Sequence, residues 1–126
     1  MNQRILVIDG HPVYVNKTIG FLQGLTFKDI QLAKTGKEGI DKARNHKPDL
    51  VILSSMLQDM DSLEVCKAIH DLTRESVKII VQIGLFTDAG TIDQFTQCGA
   101  DAVLMRKEKD LKPLQDAIET LLFQSA

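Results

Sequence analysis

Three short, unbroken apolar runs constrain this chain more than any other feature: RILVID at 4–9, DLVILS at 49–54 and VKIIVQIG at 77–84. Each is too short for a buried helix and lacks the alternation of a strand with one wet face. Each therefore reads as a strand buried on both sides. Helical spacing follows the first two runs. PVYVNKTIGFLQGL (12–25) sets Val15, Ile19 and Leu22 on one face, with Pro12 acceptable in a first helical turn. DSLEVCKAIHDL (61–72) presents Leu63, Val65, Cys66 and Ile69, and Asp61 with Glu64 has capping-box spacing. Fainter elements fill the gaps. DIQLAK (29–34) reads as a strand, and TGKEGIDKARNH (35–46) as a helix with Ile40 and Ala43 inward. DAGTIDQFTQCG (88–99) is a helix carrying Ile92, Phe95 and Cys98, and DAVLM (101–105) is a strand. KDLKPLQDAIETLLF (109–123) closes the chain on Leu114, Ile118, Leu121 and Leu122.

Five strand–helix pairs in alternation predict an α/β fold of three layers, a parallel sheet between two sets of helices. Right-handed crossovers leave few topologies, and a flavodoxin-like (βα)5 arrangement with strand order 2-1-3-4-5 is the one expected. A length of 126 residues suits one domain, 1–126. In such a sheet, chemistry gathers at the carboxyl ends of the strands, where the order reverses between strands 1 and 3. The residues delivered there are Asp9 and Gly10, Ser54, Gly84 and Arg106.

Charge narrows the function classes. Fifteen basic and seventeen acidic residues are spread along the chain, and the net charge is −2. No basic face of the kind nucleic acid needs is present, so no direct nucleic-acid partner is expected. MRKEKDLK (105–112) is a mixed run that reads as a solvated helix start. No apolar run reaches membrane-span length, and ILVI (5–8) is too short for a signal peptide's apolar region. Cys66 and Cys98 lack metal-like spacing and fall in apolar helical patterns, so buried free thiols and a cytoplasmic location are expected.

Four motifs carry a family resemblance: ILVIDGHP (5–12), PDLVILS (48–54), MDSLEV (60–65) and GADAVLMRK (99–107). In order, on the expected elements, they resemble the receiver domain of bacterial response regulators over roughly residues 3 to 123. The resemblance implies two-component, phosphorelay signalling rather than an enzyme. It also implies a phosphoacceptor aspartate after strand 3, two acids after strand 1 for Mg²⁺, a Thr or Ser after strand 4, and a Lys followed by a cis-Pro after strand 5. This chain departs from that scheme at most positions. Asp9 keeps the first acid, but Gly10 replaces the second, Ser54 stands at the phosphoacceptor position and Gly84 at the Thr/Ser position. Arg106 stands at the Lys position, Lys107 at the Pro position and Val103 in place of the switch aromatic.

These losses predict a pseudo-receiver. Mg²⁺ wants hard oxygen ligands, and Asp9 alone is a poor site, so no cofactor is expected and only a weak metal remnant. A serine hydroxyl without a base or metal is a weak nucleophile, and a phosphoserine would be a stable ester rather than a labile acyl phosphate. Ser54 removes a negative charge from a pocket with no metal to balance it, and is expected to bond nearby backbone or Asp9. Asp9 is expected to cap the first helix or bond Ser54. Arg106 could hold an anion or pair with Asp9. The resemblance implies an interaction face on helix 4, strand 5 and helix 5, here Ile92, Val103, Lys107, Lys109 and Lys112. The implied partners are other signalling proteins, a histidine kinase or an output domain, in the same chain or another, with homodimerisation open. Two alternatives stand beside this reading. One is a phospho-competent receiver using Asp9, Asp59 or Asp61, although Asp61 reads better as a helix cap and Asp59 as a solvated loop residue. The other is a flavodoxin-like ligand-binding domain, which the single Tyr and absent Trp do not favour. His11 is read as structural at the helix start, and Phe21, Phe27, Phe95 and Phe123 as core.

Overall fold

A computed structural model describes residues 2–84, 87–106 and 110–123, apart from the side chain of Glu75. Five strands alternate with five helices: β1 (Arg4–Ile8), α1 (Pro12–Gly24), β2 (Asp29–Ala33), α2 (Gly36–His46), β3 (Leu50–Ser54), α3 (Ser62–Thr73), β4 (Lys78–Ile83), α4 (Ala89–Gln97), β5 (Ala102–Met105) and α5 (Lys112–Phe123). A short 3₁₀ turn, Arg74–Ser76, follows α3 and has no counterpart in the sequence reading. The strands form one sheet in the order β2-β1-β3-β4-β5, with every pairing parallel.

Period-two alternation divides the buried strand residues between two cores. Leu6, Ile8, Val51, Leu53, Ile79 and Val81 pack with Ala43, Val65, Cys66, Ile69 and Phe95 from α2, α3 and α4. Ile5, Val7, Leu50, Ile52 and Ile80 pack with Leu22 of α1 and Leu114 and Ile118 of α5. Fully covering both faces is what made the strand sequences continuous in hydrophobicity rather than alternating.

Short polar side chains fix where the elements begin. Asp61 caps α3 by accepting the Leu63 N–H at 2.9 Å, as its position before the apolar run predicts. Thr35 does the same for α2 through the Glu38 N–H, and Asp88 for α4 through the Thr91 N–H. Asp49 accepts the Arg4 N–H and Asp101 the Ile79 N–H, each at 2.8 Å, which ties loop carboxylates to the amino ends of β1 and β4. Two core assignments need correction. Phe123 is 44% exposed, because it lies at the end of α5 and covers Phe27 from outside. Cys98 is a free thiol but only partly buried, since it ends α4 where the chain turns to β5; Cys66 is free and fully buried.

Candidate functional site at the carboxyl rim

The sheet register brings the candidate residues together. Ile8 pairs with Leu53, and Ser54 with Gln82, so Asp9, Ser54 and Gln82 stand in one row across the rim. Backbone bonds carry the ladders past the strand ends: Asp9 N–H to the Ala33 carbonyl at 2.9 Å and Arg106 N–H to the Ile83 carbonyl at 2.8 Å. The rim residues are thus held by the sheet itself.

Asp9 is the centre of the arrangement. Its carboxylate is 3% exposed, and both oxygens are engaged. Oδ1 accepts the His11 N–H at 2.9 Å, and Oδ2 accepts Nη2 of Arg106 at 2.5 Å. The Arg106 side chain is 12% exposed, and its Cζ sits 4.2 Å from the centroid of the Tyr14 ring, within range for a cation–π contact. The Tyr14 ring in turn meets His11, with centroids 4.8 Å apart. Of the two roles open to Arg106, pairing with Asp9 is the one adopted. Asp9 itself takes neither role expected of it. Its oxygen stops at His11, the residue preceding α1, whose own side chain makes no cap bond, and Ser54 bonds elsewhere.

Ser54 is 2% exposed. Its Oγ accepts the Met56 N–H at 3.1 Å and donates to the Met56 carbonyl at 3.4 Å, while its own carbonyl accepts the Ser62 hydroxyl at 2.8 Å. The hydroxyl closes a local turn, the backbone option expected for it. None of its hydrogen bonds goes to a base that would take up its proton.

The two glycines differ. A Cβ added at Gly10 would lie 2.9 Å from the Lys34 carbonyl oxygen, so the loop after β2 leaves no room for a side chain there. A Cβ at Gly84 would meet nothing closer than the Met56 Sδ at 3.9 Å. The other acids of the region are occupied. Asp61 caps α3. Asp59 is exposed, as a loop residue should be, but not idle: it accepts the Gly36 N–H at 2.8 Å and the Lys37 N–H at 3.1 Å. These bonds hold its carboxyl below the usual range and pin the loop after β3 to the start of α2.

The residues present do not fit Mg²⁺. A divalent cation needs several free hard oxygens. Asp9 has given both of its oxygens to an amide and a guanidinium, Gly10 offers none, and the Ser54 hydroxyl faces Met56. A full positive charge already touches the one remaining acid. Among the described residues no group of three or more His, Cys, Asp or Glu could hold a metal.

Of the expected interaction face, Ile92 and Val103 are partly buried against the core of α2, α3 and α4. Lys112 is exposed and pairs with Asp116 at 3.3 Å. Lys107 and Lys109 lie outside the described residues. Two rim residues escape a sequence reading. Gln82, 7% exposed beside Ser54, left one signal, a polar residue inside an apolar strand. Tyr14 left none, because its partner Arg106 is brought to it only by the tertiary fold.

The family model for the response regulator receiver domain matches residues 5–119. The chain is 33% identical over 113 residues to the DNA-binding response regulator MtrA of Mycolicibacterium smegmatis, covering 88% of this chain and 48% of that protein. It is 38% identical over 70 residues to the alkaline phosphatase synthesis transcriptional regulatory protein PhoP of Bacillus subtilis, covering 56% and 29%. A two-component response regulator from Clostridium difficile superposes with a TM-score of 0.87 at 28% identity, over 96% of each chain. A CheY-like receiver domain protein from Methanospirillum hungatei gives 0.84 at 26% identity, over 96% and 94%. The chain spans about half the length of the MtrA relative and less of PhoP. Among the described residues no helix is long and apolar enough to cross a membrane.

Proposed function

Because this chain belongs to the response regulator receiver domain family, we propose that it acts as an atypical receiver, a regulatory module that recognises partner proteins without being phosphorylated. The observation that carries this reading is the rim itself. The position that should hold a carboxylate nucleophile holds a buried serine committed to its own turn, and the neighbouring acid is closed by an arginine. A hydroxyl with no base and no activating metal does not attack a phosphohistidine at a useful rate.

The partners this reading implies are a histidine kinase or an output domain, on the same polypeptide or another. The surface of α4, β5 and α5 would meet them, and the residues proposed for it are Ile92, Val103, Lys107, Lys109 and Lys112. Val103 supplies no aromatic ring to rotate between two positions, so recognition there depends on a fixed surface. The test is incubation with Mg²⁺ and a small acyl-phosphate donor, followed by intact mass. No phosphate adduct is expected. An adduct that hydroxylamine removes would overturn the reading, and peptide mapping would then decide between Asp9, Asp59 and Asp61.

A further inference from the structure

We propose that the Arg106 guanidinium is a resident counter-ion, occupying the electrostatic place that a divalent cation would need at this rim, and that it excludes the cation rather than merely coexisting with its loss. The proposal rests on the atypical-receiver reading and adds a cause to it. Losing acids would by itself leave a weak site. What the structure has is a site already neutralised from within.

Three features fix the arginine there. Its backbone N–H continues the β4–β5 ladder to Ile83 at 2.8 Å, so the side chain leaves from a rigid point. Its Nη2 donates to Asp9 Oδ2, in a pair whose two side chains are 12% and 3% exposed. Its opposite face is closed by the Tyr14 ring at 4.2 Å, and that ring is backed by His11 at 4.8 Å. A planar guanidinium stacks on an aromatic face while bonding a carboxylate edge-on, which a lysine ammonium does not reproduce. Attraction between opposite charges is strong and poorly screened at this depth, so a second cation meets both a spent ligand and a like charge.

Gly10 makes the exclusion harder to reverse. A side chain there would press against the Lys34 carbonyl oxygen at 2.9 Å, so a second acid cannot be put back without moving the loop after β2. Position 54 is different. It lies in the same row as Asp9, so Ser54→Asp restores one carboxylate next to the first. With Arg106 in place, the new carboxylate finds a guanidinium to pair with and the metal is still refused. With Arg106 neutralised, two uncompensated carboxylates face each other, which is the arrangement that recruits a divalent cation.

The experiment titrates Mg²⁺ alone into four proteins: wild type, Ser54→Asp, Ser54→Asp/Arg106→Gln and Ser54→Asp/Arg106→Ala. The glutamine variant keeps most of the side-chain bulk should the alanine variant fail to fold. Thermal midpoints and tyrosine emission are followed together. Tyr14 is the chain's one tyrosine and there is no tryptophan, so emission reports the ring that touches Arg106. The expected result is no Mg²⁺ response in wild type or Ser54→Asp, and a saturable rise of a few degrees in the folded double variant. A response in Ser54→Asp equal to that of the double variant overturns the proposal. So does a folded double variant that ignores Mg²⁺. Either failure is separate from that of the functional reading, which is tested on wild type by phosphate uptake.

Discussion

Asp9 and Arg106, 97 residues apart in sequence, are joined across the carboxyl rim by a bond of 2.5 Å between side chains that are almost fully buried. Two strands, β3 and β4, lie between β1 and β5, whose ends these residues extend. The bond therefore spans the part of the sheet where phosphotransfer would take place, and it makes the rim a structural element. Breaking a buried pair by removing one partner leaves a charge stranded without water.

Arg106→Ala should thus lower unfolding free energy by roughly 3–5 kcal/mol, the range for removing one partner of a buried pair. Urea denaturation measures it. The companion Asp9→Ala/Arg106→Ala should lose much less than the sum of the single changes, because both remove the same interaction. Additive losses would show that the bond contributes little.

Arg74 should be improved by the smallest residue. It follows α3 with φ 57 and ψ −130, backbone angles that suit glycine and strain a residue with a Cβ. Its side chain is exposed, and none of the hydrogen bonds or ion pairs of the described residues uses it. Arg74→Gly should raise stability by about 1 kcal/mol, the relief of strain exceeding the extra entropy of the unfolded glycine. Denaturant midpoints decide it; a loss of stability would mean that the guanidinium makes a contact of value.

Asp59 should give the domain an acid-sensitive loop. The Gly36 and Lys37 N–H groups hold its carboxyl below the ordinary 3.8. The fold thus favours the ionised form. The stability this contributes is present above the unfolded-chain value and disappears as pH falls through the lower, folded value. Asp59→Asn should be less stable than wild type near neutrality, with the gap closing from about pH 5 downward. Urea midpoints across that range measure it, and a gap that stays constant would contradict the assignment.

The two thiols should separate by reactivity. Burial, with smaller contributions from Cys98 and Asp101, pushes the Cys66 thiol up to about 12. Thiolate is the reactive form. A maleimide at mild alkaline pH should therefore modify the partly exposed Cys98 first and reach Cys66 only on unfolding. Peptide mass mapping of native and denatured samples reads the order, and equal native rates would contradict it.

The sequence was most legible where local chemistry and tertiary demand coincide. Ile5–Ile8 and Leu50–Leu53 had to be strands, because branched apolar runs this short fit only a sheet covered on both faces, and the alternation then fixed the topology. Asp61 was legible as a cap for the same reason, as its partner is two residues away. The start of α5 was less legible: the helix begins at Lys112 rather than at 109, and the Asp110 carboxylate accepts the Lys112 N–H at 3.1 Å. Bonds between distant segments were harder. Pairing of Arg106 with Asp9 was one of two options, because only the register of β1, β3, β4 and β5 brings them together. Tyr14 and the Asp59 bonds to α2 were out of reach, since nothing local distinguishes them from an ordinary helix residue and an ordinary loop acid.

An atypical receiver whose rim is closed by Arg106 does not accept a divalent cation with a phosphoryl mimic. An NMR titration with Mg²⁺ and beryllofluoride, following the backbone amides of Gly10, Ser54, Gly84 and Arg106, tests this directly. The predicted result is no saturable shift at any of the four. Saturating shifts confined to them would show a working phosphoryl site and contradict the account.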